Sequence, residues 1–349
     1  MEPPPPALAR VLRGGRTESV HRGDVAVVDE EGRLIASAGN LLRPVYLRST
    51  AKPFQAMPLL ASGGERAFGL DSDAIALMCA SHGGEPRHVR VARALLRKGG
   101  YHVEDLGCGA HPPMDERSAK RLAERGEPPT ALHNNCSGKH AGMLLACRLE
   151  GYDPASYRSP DHPLQKRIRR VLSRMTGVPA AEIRVAVDGC SLPVFRMPLA
   201  ALASGYARLL SRRSLGSIRA DAARRRILRA MWESPDMVAG RARFTTDLLR
   251  AGPRRWVGKE GAEGVYAIGL AGPHSGEPAV GIAFKVEDGS SRARDAISMA
   301  ILHRLGRLSR AAARALANYE KPIVRSVLGD PVGWIEVAGG LDGMVPTAD

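Results

Sequence analysis

The stretch Leu47-Arg48-Ser49-Thr50-Ala51-Lys52-Pro53 places a serine hydroxyl and a lysine amine three positions apart, where a helix stacks them on one face. A serine is a poor nucleophile until something takes its proton, and a partly desolvated lysine amine is able to do so. Serine–lysine hydrolases that attack amides carry this spacing. Taken alone, the pair equally describes a helix-capping serine followed by a surface lysine. The remaining lysines give it weight. Of the 51 basic residues only 8 are lysines, at positions 52, 98, 120, 139, 166, 259, 285 and 321. Arginine keeps its proton at working pH and lysine need not. Lys52, Lys139 and Lys259 persist beside Ser, Cys, His or Gly clusters, which points to amines that must become neutral. The others read as solvated charge.

At 349 residues, with 44% hydrophobic and 25% charged residues, the composition is that of a soluble globular protein of one or two domains. No apolar run approaches the ~20 residues that span a bilayer. Met1-Glu2-Pro3-Pro4-Pro5-Pro6 lacks the basic start and apolar segment of a secretory signal. Residues 1–20 are therefore expected to be a partly disordered lead-in, and the location cytoplasmic, with no membrane partner. A net charge of +15 raises nucleic-acid binding as a possibility. The arginines of Arg167–Arg174, Arg208–Arg213, Arg219–Arg229 and Arg304–Arg314 alternate with apolar residues at helical spacing, as on wet helix faces. Aromatic residues make up only 4%, too few for stacking platforms, so no nucleic-acid partner is expected. Five scattered cysteines, an odd number, argue against a disulfide framework.

Val25–Ala36 reads as two strands around a polar turn. Apolar spacing predicts helices near 50–62, 71–80, 86–98, 115–125, 139–150, 161–175, 197–213, 217–233 and 291–309. Asp71 is placed to cap the second of them. Strand character returns at Arg254–Val257, Val265–Leu270 and Ala279–Val286. Strands at both ends with helices between them predict an α/β (α+β) domain over residues 21–349. Its central, mostly antiparallel sheet draws on both ends of the chain and its helical middle runs over about 50–235. The absence of βαβ repeats and of a glycine-rich phosphate loop disfavours a doubly wound nucleotide fold.

Three further clusters stand out. Ser81-His82-Gly83-Gly84 puts a serine at a helix end before a flexible turn. Gly258-Lys259-Glu260-Gly261 puts a lysine between glycines beside a strand. Penicillin-recognising serine enzymes combine S-x-x-K, a second serine and Lys-x-Gly in this same order. The competing reading of Ser81 and Lys259 is turn chemistry and surface charge. In His133-Asn134-Asn135-Cys136-Ser137-Gly138-Lys139-His140, Cys136, Lys139 and His140 share a helix face. With Cys190 they are a metal candidate, and ordinary zinc preferences select Cys136, His140 and Cys190. A buried cysteine and a structural histidine is the alternative. Cys108 and Cys147 read as packing.

Taken together, Leu47–Gln55, Ala80–Glu85, Cys108–Pro112, His133–His140 and Val187–Cys190 resemble the Rhizobium etli-type asparaginase family (asparaginase II, class 3), with Asn-Asn-Cys-Ser-Gly-Lys-His its most specific segment. The resemblance implies a fold like the serine β-lactamases and glutaminases, a homodimer, and hydrolysis of L-asparagine to L-aspartate and ammonia. It implies two catalytic couples, Ser49 with Lys52 and Ser81 with Lys259. It also implies a zinc ion on Cys136, Lys139 and Cys190, in place of the His140 that spacing selects. Arg48 is assigned to the substrate's α-carboxylate and Asp188 to its α-ammonium, with His140 and Asn135 also in the substrate-binding set. The competing functions are a penicillin-interacting acylase of the same fold and a non-catalytic amino-acid-binding protein.

Overall fold

A computed structural model describes residues 3–344 of the chain. The first two residues of the predicted lead-in and the last five of the predicted domain lie outside the described residues. The chain opens with strands β1 (Ala7–Arg13), β2 (Arg16–Asp29), β3 (Leu34–Ala38) and β4 (Pro44–Tyr46). Helices α1 (Lys52–Ala61), α2 (Gly64–Phe68), α3 (Ser72–Met78), α4 (Pro86–Gly99), α5 (Glu116–Glu124), α6 (Ser137–Glu150) and α7 (Pro163–Thr176) follow. Next come β5 (Arg184–Val187), β6 (Pro193–Pro198), α8 (Leu199–Leu210), α9 (Ile218–Glu233), α10 (Pro235–Val238) and α11 (Phe244–Ala251). The last stretch holds β7 (Trp256–Glu260), β8 (Val265–Leu270), β9 (Val280–Val286), α12 (Arg294–Arg304), α13 (Arg310–Leu316), β10 (Ile323–Arg325) and β11 (Pro331–Val337).

The nine predicted helices are present, and Asp71 caps α3 by accepting from the Ala74 amide at 2.9 Å. Two expectations are corrected. Residues 7–20 are not a disordered lead-in: β1 and the start of β2 pair antiparallel, and β1 also pairs with β11. Register shifts between Ala7 and Ala9 and between Val11 and Leu12 break the period of two that marks a strand in sequence. The single domain is replaced by two compact units. One takes the described residues up to Val45, Met197–Ser211 and everything from Ala251 on; the other takes Tyr46–Arg196 and Arg212–Arg250.

The first unit is built on an antiparallel sheet in the order β10-β11-β1-β2-β9-β8-β7, with β3 paired to β2, so both chain ends do supply it. Every residue of β7 and β8 is buried. Helix α8 lies against β8 and β9 at a cross-strand pair of glycines, Gly269 and Gly281. A Cβ on Gly281 would stand 1.8 Å from the Ala203 carbonyl oxygen, and one on Gly269 2.5 Å from that of Tyr206. Absent side chains let the helix backbone rest on the sheet.

The second unit is helical, with β5 and β6 forming an antiparallel hairpin from Arg184–Arg196 to Val187–Pro193. At its centre α6 contacts α1, α3, α4 and α7 and is buried at each of its first eleven residues, Ser137 to Cys147. A helix apolar on every side belongs in a core. Here that puts Lys139 and His140 in the interior, where polar atoms need partners. Replacing Gly281 by alanine is expected to push α8 off the sheet and destabilise the protein by about 3 kcal/mol. A denaturant midpoint unchanged from wild type would contradict this seating.

Candidate active site

Lys52 opens α1 directly after a 3₁₀ turn, Arg48–Ala51, which carries Ser49, and Pro53 sits in the first helical turn, where its missing N–H is harmless. Arg48 holds a left-handed φ of 48°, unusual for a side chain of its size and a common sign of a constrained functional turn. Ser49 is half-buried, and its hydroxyl has no hydrogen bond to any described residue. Lys52 is wholly buried. Its amine donates to the Ala80 carbonyl, to the Asn135 carbonyl at 3.3 Å and to Ser81 Oγ at 3.1 Å. The structure therefore brings Lys52 to Ser81, whereas i, i+3 spacing pairs it with Ser49. Two carbonyls absorb two amine hydrogens, and the third direction faces a hydroxyl that either accepts a proton from nitrogen or gives one to it.

Ser81 follows the end of α3, and its amide donates to the Val238 carbonyl at 2.9 Å. The residues after it are held by two buried, stacked histidines with ring centroids 4.9 Å apart. The Gly84 amide donates to His82 Nδ1 and the Glu85 amide to His88 Nδ1, each at 3.1 Å. Both imidazoles must then carry their proton on Nε2. His82 Nε2 lies 2.9 Å from Ser137 Oγ, whose own hydrogen goes to the Leu132 carbonyl, and His88 Nε2 lies 2.9 Å from the Asp236 carbonyl. Burial lowers the pKa of both rings, with repulsion from His88 and Lys52 adding at His82. Sequence reasoning passed over His82, His88 and Ser137, which carry no nucleophile spacing.

On α6, the Lys139 amine lies 3.1 Å from Cys190 Sγ. A hydrogen bond with Cys190, opposed by burial and reinforced by the charge of Lys139, holds the pKa of Cys136 well below the ordinary thiol range. The same bond and burial raise the pKa of Cys190, and the two sulfurs with Asp188 raise that of Lys139 against the cost of its burial. Cys190 sits in the β5–β6 loop beside Ser191, another left-handed residue with φ of 67°. Among the described residues no three His, Cys, Asp or Glu side chains are grouped to hold a metal. The predicted ligands converge as two sulfurs and an amine, a donor set that suits a thiophilic divalent cation once it has shed its protons. His140 is fully buried; its Nδ1 meets the Tyr157 hydroxyl at 2.6 Å, and that hydroxyl accepts from the Gly107 amide at 2.8 Å. Tyr157, fifty residues from Gly107 in sequence, had no signal that could have found it.

Asn135 links the two clusters: its carbonyl meets Lys52, and its side-chain oxygen accepts from the Cys136 thiol at 3.1 Å. Arg48 Nε donates to Asp188 Oδ1 at 2.9 Å, so the residues assigned to opposite ends of a zwitterion pair with each other. Asp188 also accepts from the Gly189 amide at 2.8 Å. Lys259 lies in β7 of the first unit, fully buried, with its amine 3.0 Å from its neighbour's carbonyl and 3.2 Å from the Glu260 carboxylate. Cys108 and Cys147 are buried thiols pushed up to about 12 by burial, as packing residues would be.

Since the folded state disfavours protonated His82 and His88, the unfolded chain binds more protons below the ordinary histidine pKa near ~6.5. Stability is present above that pH and is lost as pH falls below it. Denaturation of wild type and His82→Gln at about pH 7.5 and 5.5 measures this. The variant is expected to lose less stability across the interval, and an identical loss would show His82 free to charge in the fold.

Among solved structures the chain is similar to Mglu in its native form in the presence of 4.3M NaCl, at 17% identity over 82% of this chain and 61% of that one, with a TM-score of 0.35. A second Mglu structure matches at 15% identity over 86% of this chain and 66% of that one, TM-score 0.31. A third, in its native form, matches at 16% over 82% and 64%, TM-score 0.35. The chain thus spans less than two thirds of the length of these structures. It matches no curated protein. No helix among the described residues is long and apolar enough to cross a membrane. The L-asparaginase II family matches residues 9–337, nearly the whole chain and every motif described above, and the protein belongs to that family of amidohydrolases.

Proposed function

We propose that the protein hydrolyses L-asparagine to L-aspartate and ammonia through a covalent intermediate on Ser49. The observation that carries the reading is the fully buried Lys52 amine, bonded to Ser81 and lying three residues after Ser49, whose hydroxyl has no hydrogen bond to any described residue. Ser49 Oγ attacks the side-chain amide carbon and its proton passes to Lys52, with Ser81 as the adjoining relay. The tetrahedral adduct collapses, the C–N bond breaks, and Lys52 returns the proton to the departing ammonia. Water then attacks the ester, gives a proton to the same relay, and releases aspartate with Ser49 restored. The Arg48–Asp188 pair presents a positive and a negative edge side by side, which matches an α-amino acid's carboxylate and ammonium. His140 and Asn135 belong to the walls of that pocket in this reading. Lys259 as the partner of Ser81 rests on the resemblance alone.

Zinc would be held by Cys136, Lys139 and Cys190, giving up the thiol and ammonium protons. When bound it would supply a fixed positive charge near Asn135, and we assign it no bond-making step. The serine β-lactamase and glutaminase-like fold, a homodimer and a cytoplasmic location complete the proposal; they too are supported by the resemblance.

Ser49→Ala is expected to cut ammonia release from asparagine by about 10³-fold or more with unchanged melting. Lys52→Ala is expected to cut it as far while the protein stays folded but melts at a lower temperature, since the variant loses the three buried hydrogen bonds of the amine. Quenched digests of wild type should carry the aspartyl adduct on the peptide containing residue 49. An adduct on the Ser81 peptide would move the nucleophile there, and full turnover in either variant would end the proposal. Separately, purified protein is expected to hold about one zinc per chain by elemental analysis, and Cys136→Ser with Cys190→Ser to hold none.

A further inference from the structure

The arginines of α4 do not behave alike. Arg87 forks onto both oxygens of Asp73, at 2.9 and 2.8 Å. Arg90, Arg93 and Arg97, at i, i+3 and i+7 spacing and all exposed, make no hydrogen bond or ion pair with any described residue. Helix α5 repeats the contrast: Lys120 pairs with Glu124 at 3.8 Å, while Arg121 meets only the Ser118 hydroxyl and Arg125 has no side-chain partner among the described residues. These five arginines line one groove of about 430 Å³. Among the described residues Glu127 is its only carboxylate.

Other arginines of this unit do find acids: Arg167 meets Glu150 at 2.6 Å, Arg241 meets Glu85 at 3.0 Å, and Arg226 pairs with Glu65, although Arg170 and Arg174 of α7 have no such partner among the described residues. Five guanidinium groups around one carboxylate leave a concentrated positive excess, which repels itself and is relieved by an anion. His133 at the groove's edge has its pKa lowered, by burial first and with the charge of Arg93 contributing. Val89 and Leu122 add an apolar floor.

We propose that the α4–α5 groove binds a small phosphoryl polyanion, either pyrophosphate or the phosphate chain of a nucleoside di- or triphosphate. Guanidinium forks match phosphate oxygens two at a time, and the two helices supply forks from opposite walls. The groove is within the range of small-molecule sites, about 300–1,000 Å³. Its lining has no Phe, Tyr or Trp, unlike a stacking track for single-stranded nucleic acid.

The test is calorimetry on the full chain with pyrophosphate, ATP and a single-stranded RNA dodecamer, in low and near-physiological salt. Two double variants are compared: Arg93→Ala with Arg121→Ala, one from each wall, and Arg170→Ala with Arg174→Ala, from another arginine-lined cleft on α7. Wild type and the α7 variant are expected to bind pyrophosphate and ATP, with the groove variant weakened about tenfold or more and its melting unchanged. ATP binding more tightly than pyrophosphate assigns the apolar floor to the nucleoside; equal binding assigns recognition to the phosphates. Equal weakening in both variants would reduce the effect to net charge and overturn the site. So would RNA binding without pyrophosphate, or no binding of either small anion at about 1 mM.

Discussion

An amine with no access to water governs the second unit. Burying Lys52 without partners would cost several kcal/mol, and three acceptors from two separate segments meet that cost. The Ala80 carbonyl and Ser81 hydroxyl come from the end of α3, and the Asn135 carbonyl comes from the turn before α6. Each must hold its place for the amine to stay inside, so one side chain ties α1, α3 and α6 together at the serine that the chemistry needs. Two neutral histidines secure the next residues by accepting their amide protons, and a third, His140, is locked through Tyr157.

The polar interior of this unit is a series of such settlements. Lys139 is compensated by sulfur, Arg48 by Asp188, and the Cys136 sulfur by the Asn135 side chain. Left-handed backbone at Arg48 and Ser191 falls beside Ser49 and Cys190, where strain is maintained because surrounding contacts leave the turn no alternative. The arginines of the α4–α5 groove stand outside this economy, on the surface and without an acid partner among the described residues.

Much of the architecture was readable. Long amphipathic helices announce themselves because one face repeats every 3.6 residues, and α4, α7 and α9 are of this kind. Strands buried on both faces, such as β8 and β9, show as apolar runs. What escaped was local and irregular. The bulged register of β1 hides its alternation, and the first half of β2 is polar and exposed, so both looked like a tail. Strands β5 and β10 are three or four residues long and mostly exposed, too short to carry a pattern that would reveal the β5–β6 and β10–β11 pairings.

The linear chain determined which groups are available: a serine and lysine three apart, a second serine before glycines, a lysine and two cysteines where arginine is otherwise the rule, and the family those motifs mark. Only the folded second unit decided who meets whom. Spacing along a helix joins Ser49 to Lys52, yet the amine turns to Ser81 because the α3 terminus and the Asn135 turn together offer three acceptors in one dry place. Distances through space come from packing of whole helices, which no interval counted along the backbone contains.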